Sequence, residues 1–85
     1  MGEFWTTKKP EFANPMMQPH CLWPTDPNAL DIERYREMRE WCASTFGHKE
    51  PNRFGDLWSS RVHTRAFAFR HERHRMLFYM AFAEG

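Results

Sequence analysis

The residues best suited to chemistry are concentrated in "RHERHR", residues 70–75, where arginines and histidines surround one glutamate. His71 and His74 are three positions apart, so on a helix both rings could contact the same metal ion. No C-x-x-C, H-E-x-x-H or zinc-finger spacing accompanies them in the chain. We therefore expect this stretch to bind no metal, and we expect the protein to need no cofactor.

Nucleophiles and bases elsewhere in the sequence do not form a catalytic set. His20 precedes Cys21, and two serines, Ser59 and Ser60, lie near His63. Neither pairing has a third group to orient the base. The sequence contains no nucleophile elbow and no Gly-rich phosphate loop, and only 4 glycines in all. We therefore expect no enzymatic activity.

Two cysteines, Cys21 and Cys42, are too few for a disulfide framework. No apolar run reaches the roughly 18 residues that a membrane-spanning helix needs, and no secretory signal pattern is evident. These features predict a cytoplasmic protein with reduced thiols and no membrane contact.

The second half of the chain is mildly basic. Residues 51–85 carry six basic and three acidic groups, against six basic and eight acidic groups in residues 1–50. The possible basic patch consists of Arg61, Arg65, Arg70, His71, Arg73, His74 and Arg75. Aromatic side chains between them could stack on bases, so a nucleic-acid-binding module is an alternative function. The net charge of +1 is small for such a role, and no RNP strand or helix-turn-helix motif is present.

Residues 1–25 have the composition of an extended arm. Prolines recur every four or five residues and push the residues before them toward extended geometry. The arm also carries large apolar side chains that must pack against something. We expect a protein partner to contact Phe4, Trp5, Phe12, Met16, Met17 and Trp23. The alternative, which the sequence leaves open, is that these side chains cover the protein's own core.

One amphipathic helix follows the arm. Asp26 is a candidate N-cap, Pro27 suits the first helical position, and Gly47 is a candidate stop. At 100° per residue, one broad face gathers Tyr35, Met38, Trp41, Cys42, Thr45 and Phe46. The opposite face is charged, so we expect the apolar face to lie on the core.

The remaining chain predicts a hairpin and a short second helix. Alternating residues indicate strands over 57–62 and 65–70 with a turn near His63, although one long bent strand is the alternative. A helix over 71–78 and a strand over 79–83 would avoid exposing large aromatic rings, and periodicity alone leaves helix or strand open for the last segment. "RHERHR" then forms the exposed first turn of the short helix.

Together these elements predict one α+β domain over residues 26–85, preceded by the arm of residues 1–25. One amphipathic helix packs on a small antiparallel sheet, with a short second helix and the extended Pro-rich N-terminal arm. An aromatic fraction of 16% gives this short chain enough area per side chain to form a core.

The segments "WCASTFG", "NRFGDLW" and "FAFRHERHRMLF" resemble a pattern in small uncharacterised proteins of tailed bacteriophages. The pattern joins a Trp-containing helix ending in "TFG", an aromatic–x–aromatic–Arg strand, a polar stretch and a final "LF". The resemblance covers residues 41–82. Those proteins usually place acidic residues after the arginine, whereas this stretch is basic, so any function carried by acids there does not transfer. The resemblance implies origin and fold more than mechanism.

These observations favour a small non-enzymatic protein-binding module. The resemblance implies a phage accessory protein located in the host cytoplasm. Such a protein would bind a host protein and modulate or inhibit it, and counteracting a host defence is one form of this role. A nucleic-acid-binding module using the arginine and histidine cluster of residues 61–75 is one alternative, and a small virion or assembly component is another. The sequence indicates neither the partner nor the oligomeric state.

Overall fold

The computed structural model describes residues 4–11, 13, 18–47 and 57–83. Within these residues the chain forms four strands and two α-helices. In chain order they are β1 (Trp5–Thr6), β2 (His20–Pro24), α1 (Ile32–Phe46), β3 (Trp58–Arg61), β4 (Ala66–Phe69) and α2 (Glu72–Ala81). A 3₁₀ turn, Pro27–Ala29, precedes α1. Neither α1 nor α2 has both the length and the apolar character that crossing a membrane requires.

The strands form an antiparallel sheet in the order β1-β2-β4-β3. Phe67 of β4 lies between Leu22 of β2 and Ser60 of β3. The predicted hairpin of residues 57–62 and 65–70 is confirmed, with its turn over residues 62–65. The predicted α+β class, with an amphipathic helix on a small antiparallel sheet and a second helix, is likewise confirmed.

Part of the expected N-terminal arm belongs to the sheet. β2 lies between β1 and β4, so a division of the chain at residue 25 would separate two strands from the sheet they complete. Pro24 is tolerated because the ladder with β4 ends at Leu22. Trp5 and Trp23 are buried within this chain's own fold. Of the other expected contact residues, Phe12, Met16 and Met17 lie outside the described residues.

Helix α1 begins later than the sequence indicates. Asp26 caps the 3₁₀ turn, whereas Asp31 caps α1 by accepting a hydrogen bond from the backbone N–H of Arg34 at 2.8 Å. Gly47 ends the helix as expected, with a φ of 98° that favours glycine. The predicted apolar face is buried at Tyr35, Met38 and Cys42, but Thr45 of that face is exposed.

Helix α2 continues to Ala81, so the predicted strand over residues 79–83 is wrong. The strand was expected because a helix would expose large aromatic rings. The structure instead buries Phe78 and packs Phe82 against it, with 5.0 Å between the ring centroids. The helix exposes aliphatic and thioether side chains in their place, at Met76, Leu77 and Met80.

Alternation along β4 creates two apolar layers. Phe67 and Phe69 point to the side where α1 and α2 pack, and they join the larger core. Ala66 and Ala68 point to the other side and join a smaller cluster with Ala13, Cys21 and Trp23. Both helices therefore lie on one face of the sheet, and part of the N-terminal segment covers the other face.

Candidate binding site

The possible basic patch is divided between two ends of the sheet. Arg61 and Arg65 lie at the hairpin turn, before β4, whereas Arg70 follows β4 at its other end. At about 3.3 Å of rise per residue, an extended strand separates Arg65 from Arg70 by roughly 16 Å. Residues that are neighbours in sequence therefore do not form one continuous surface.

Arg65 is held within the fold. Its Nε donates to the carbonyl oxygen of Leu30 at 3.1 Å, and its Nη1 donates to the carbonyl oxygen of Val62. The guanidinium lies 5.7 Å from the ring centroid of Tyr35, within cation–π distance. These contacts connect the hairpin turn to α1 and to the segment before it, which gives Arg65 a structural role.

The second part of the patch lies at the start of α2. His71 is at the N-cap position but makes no side-chain capping bond, and Arg73 is exposed. Arg75 pairs with Glu72 at 3.2 Å, an i,i+3 pair on the helix surface. Of the basic residues singled out from the sequence, the structure brings together Arg70, His71, Arg73, His74 and Arg75.

His74 joins the two helices rather than facing a ligand. Its ring lies over Phe46, the last residue of α1, with 4.5 Å between centroids, and the ring of His71 is 5.2 Å away. Its Nδ1 is buried and has no hydrogen-bond partner among the described residues. Burial of the ring lowers the pKa of His74, and the nearby His71 and Arg73 lower it further.

Lowering the pH is expected to destabilise the fold through His74. The unfolded chain binds the proton more readily, so stability falls as the pH drops below about 6.5 and towards the lower pKa of the folded state. A His74→Phe variant keeps a ring over Phe46 but removes this proton. Thermal melting at pH 7.5 and 5.5 should therefore show a smaller pH-dependent shift in the variant than in the parent. Equal shifts in both proteins would contradict the role given to His74.

The polar groups that could serve as nucleophiles are committed to the fold. Burial raises the pKa of the Cys42 thiol and that of the Cys21 thiol, with Arg75 partly opposing the shift at Cys21. Ser59 Oγ donates to Gln18 Oε1 at 2.5 Å, and the hydroxyls of Tyr35 and Ser60 are 2.9 Å apart. Among the described residues, no three His, Cys, Asp or Glu side chains are grouped to hold a metal ion.

A groove of about 340 Å³ lies between α2 and the β1–β2 side of the sheet. Its lining consists of Trp5, Thr6, Thr7, Leu22, Arg75, Met76, Tyr79 and Met80. We call it the β1–α2 groove. Trp5 is only 2% exposed and is fixed in place, because its indole Nε1 donates to the carbonyl oxygen of Phe82 at 2.6 Å. Met76 and Met80 are 55% and 74% exposed, so one wall is apolar and open to solvent.

The groove has a defined chemical character. Among the described residues that line it, Arg75 supplies the charged group and none is a carboxylate. The thioethers of Met76 and Met80 are flexible and polarisable, so they adapt to varied apolar shapes. Such a lining suits apolar side chains accompanied by a negative group.

Sequence reasoning located the groove only in part. Trp5 was expected to contact a partner and does line the groove, whereas Trp23 lies on the other face of the sheet. Met76, Tyr79 and Met80 were not singled out. The available signal was helical spacing, because the two methionines lie on a face of α2 nearly opposite Phe78 and Phe82, and burial of the Phe side leaves the methionines exposed.

No protein-family model matches the chain, and comparisons with curated proteins and with solved structures find no match either. The fold and groove define the chain as an α+β domain with an open apolar site between a strand and a helix. The geometry of that site and the character of its lining are therefore the basis for a functional proposal.

Proposed function

We propose that this chain is a small, non-enzymatic protein-binding module and that the β1–α2 groove is its binding site. The observation that carries the proposal is the exposure of Met76 and Met80 beside a floor formed by Trp5. Covering apolar side chains this exposed with another surface removes them from water, which is favourable in free energy. Clustered around a groove, they are typical of an interaction site.

The residue types support a protein as the partner. Aromatic residues, methionine and arginine are enriched in the centres of protein interfaces, and the groove contains all three types. Trp5 is anchored by its hydrogen bond and by Phe78, 5.4 Å away between ring centroids. A rigid floor with flexible walls reduces the ordering cost of binding while allowing the walls to adapt.

The absence of an enzymatic role is supported by where the reactive groups lie. The Cys42 thiol is fully buried among core residues, and burial raises its pKa, which disfavours the nucleophilic thiolate. Ser60 shares a hydrogen bond with Tyr35, and His74 packs against Phe46. These groups stabilise the fold, and none of them lines the groove.

The resemblance over residues 41–82 supports the biological setting of the proposal. We place the chain among phage accessory proteins that act in the host cytoplasm, where it binds a host protein and modulates or inhibits it. Counteracting a host defence is one such action. A role as a small virion or assembly component would use the same groove to bind a phage protein.

Nucleic acid is a second candidate partner because Arg70, Arg73 and Arg75 lie together at the start of α2. Binding through these arginines would depend steeply on salt, with log K falling by roughly 0.7–0.9 per log unit of salt for each phosphate contacted. Binding in the β1–α2 groove would have a shallower dependence, because most of its lining is uncharged.

Affinity capture from host lysate, with and without nuclease treatment, tests the proposal. We expect the parent chain to retain one protein in a fixed stoichiometry, and a Met76→Glu/Met80→Glu variant to lose it. The matched control is Leu77→Glu, because Leu77 is 48% exposed on the same helix but does not line the groove. The control should retain the partner.

Two outcomes would contradict the proposal. Capture that survives Met76→Glu/Met80→Glu would place the interaction elsewhere on the chain. Capture of nucleic acid alone, lost in an Arg73→Glu/Arg75→Glu variant, would favour the second candidate. Far-ultraviolet circular dichroism of each variant checks that the fold is retained.

A further inference from the structure

We propose that the β1–α2 groove takes an extended segment of the partner, which pairs with β1 as a fifth strand and places a carboxylate against Arg75. This inference rests on the proposed function and specifies the conformation and charge of what binds. It follows from three features of the groove, namely the position of β1 at the edge of the described sheet, the spacing of the methionines on α2 and the position of the arginine.

Strand β1 is an edge of the sheet among the described residues. Thr25 N–H donates to the carbonyl oxygen of Phe4 at 2.8 Å, so Phe4 and Thr25 form a hydrogen-bonded pair of the β1–β2 ladder. Hydrogen-bonded and non-hydrogen-bonded positions alternate along an antiparallel strand. The backbone N–H and C=O of Trp5 therefore point away from β2, towards the edge where another strand can pair.

The spacing on α2 matches that of a strand. Met76 and Met80 are four residues apart, so they lie about 6 Å apart along the helix axis. Alternate residues of a β-strand point to the same face and are separated by about 6.6 Å. The groove is lined by three consecutive residues, 5–7, on one side and by successive turns of α2 on the other. Two alternate apolar side chains of an added strand would each meet one methionine.

Charge defines the third feature. Arg75 lies in the groove near the start of α2, and its partner Glu72 is exposed on the same helix but does not line the groove. A surface i,i+3 ion pair of this kind is weak. A carboxylate of the partner can therefore replace Glu72 at Arg75 or bind Arg75 together with Glu72. The segment that fits has apolar residues at alternate positions with an acidic residue at the end that lies by Arg75.

A helix is the rival occupant, and the edge of β1 disfavours it. A helix satisfies its own backbone hydrogen bonds, so lying in the groove it would cover the outward N–H and C=O of Trp5 without pairing them. Removing such groups from water without a partner opposes binding. An added strand pairs them directly, as in other cases of strand addition to a sheet edge.

The test uses short random peptides displayed as a library and selected on the full chain. We expect the selected sequences to share alternating apolar residues and an acidic residue. A synthetic peptide of that pattern should lose affinity by about tenfold or more with Arg75→Glu, and a lysine in place of its acidic residue should restore binding to that variant. Arg73→Glu is the matched control, because Arg73 is exposed on α2 but does not line the groove.

Amide exchange reads the conformation of the bound peptide. The backbone N–H of Trp5 should exchange with deuterium about tenfold more slowly in the complex, because the added strand pairs with it. Peptides with apolar residues at i, i+3 and i+4, or a Trp5 amide whose exchange is unchanged, would overturn this inference. If the selected peptides nevertheless failed to bind the Met76→Glu/Met80→Glu variant, the proposed function would stand. Selected peptides that bind this variant as well as the parent would overturn both.

Discussion

A Phe78→Ala variant is expected to lose about 3–5 kcal/mol of the free energy of unfolding. Phe78 is 0% exposed and lies where α2 meets the sheet. Its ring centroid is 4.7 Å from that of Phe67 and 5.4 Å from that of Phe69. Trp5 and Trp41 contact it edge-on, at 5.4 and 5.9 Å. With Phe82 at 5.0 Å as well, truncation to alanine leaves a cavity that five ring neighbours border at once, and they cannot all move into it.

Small domains have a total stability of only about 5–15 kcal/mol, so this loss is a large part of it. Urea unfolding followed by tryptophan fluorescence measures the change, and the Leu77→Ala variant is the control because Leu77 is half exposed on the same helix. We expect the control to lose well under half as much. Equal losses in the two variants would show that α2 does not pack through Phe78.

The second large effect is expected at the N-terminal segment. Trp5→Ala should also cost about 3–5 kcal/mol, although β1 is only 2 residues long. The ring of Trp5 contacts those of Phe4, Phe67 and Phe78, and its indole N–H bonds to Phe82. The substitution therefore removes contacts to β4 and to α2 as well as the contact with the preceding Phe4.

A Trp5→Phe variant retains part of the packing and removes the hydrogen bond. It keeps an aromatic ring but loses the bond from Nε1 and part of the buried ring volume, so it should cost about 1–3 kcal/mol, less than the alanine variant. Thermal melting of both variants beside the parent measures the difference. A Trp5→Ala variant that melts like the parent would show that Trp5 lies outside the core and is free to serve a partner.

The parts of the fold that the sequence predicts are those set by local periodicity. The buried face of α1 follows from the spacing of Tyr35, Met38 and Cys42, and the β3–β4 hairpin follows from alternation. Strand β2 has no such signal, because prolines flank a short apolar run that is buried almost throughout. Its identity as a strand depends on pairing with β4, more than forty positions away in the sequence.

The site was harder to predict for the same reason. The arginines of residues 61–75 are close in sequence, but β4 separates them into two groups. The β1–α2 groove brings Trp5 beside Met76 and Met80, from opposite ends of the chain. Only the strand order places these residues together. The residue type of Trp5 indicates that its side chain packs against other residues. Only the fold shows that it forms the floor of a groove.

Methionine footprinting of the captured complex tests the central proposal most directly. Hydroxyl radicals oxidise methionine according to its exposure, and Met76 and Met80 are exposed in the free chain whereas Met38 is 0% exposed. If the β1–α2 groove is the binding site, the partner should protect Met76 and Met80, while Met38 stays unreacted throughout. Oxidation of Met76 and Met80 at the same rate in the complex as in the free chain would contradict the assignment of the groove as the binding site.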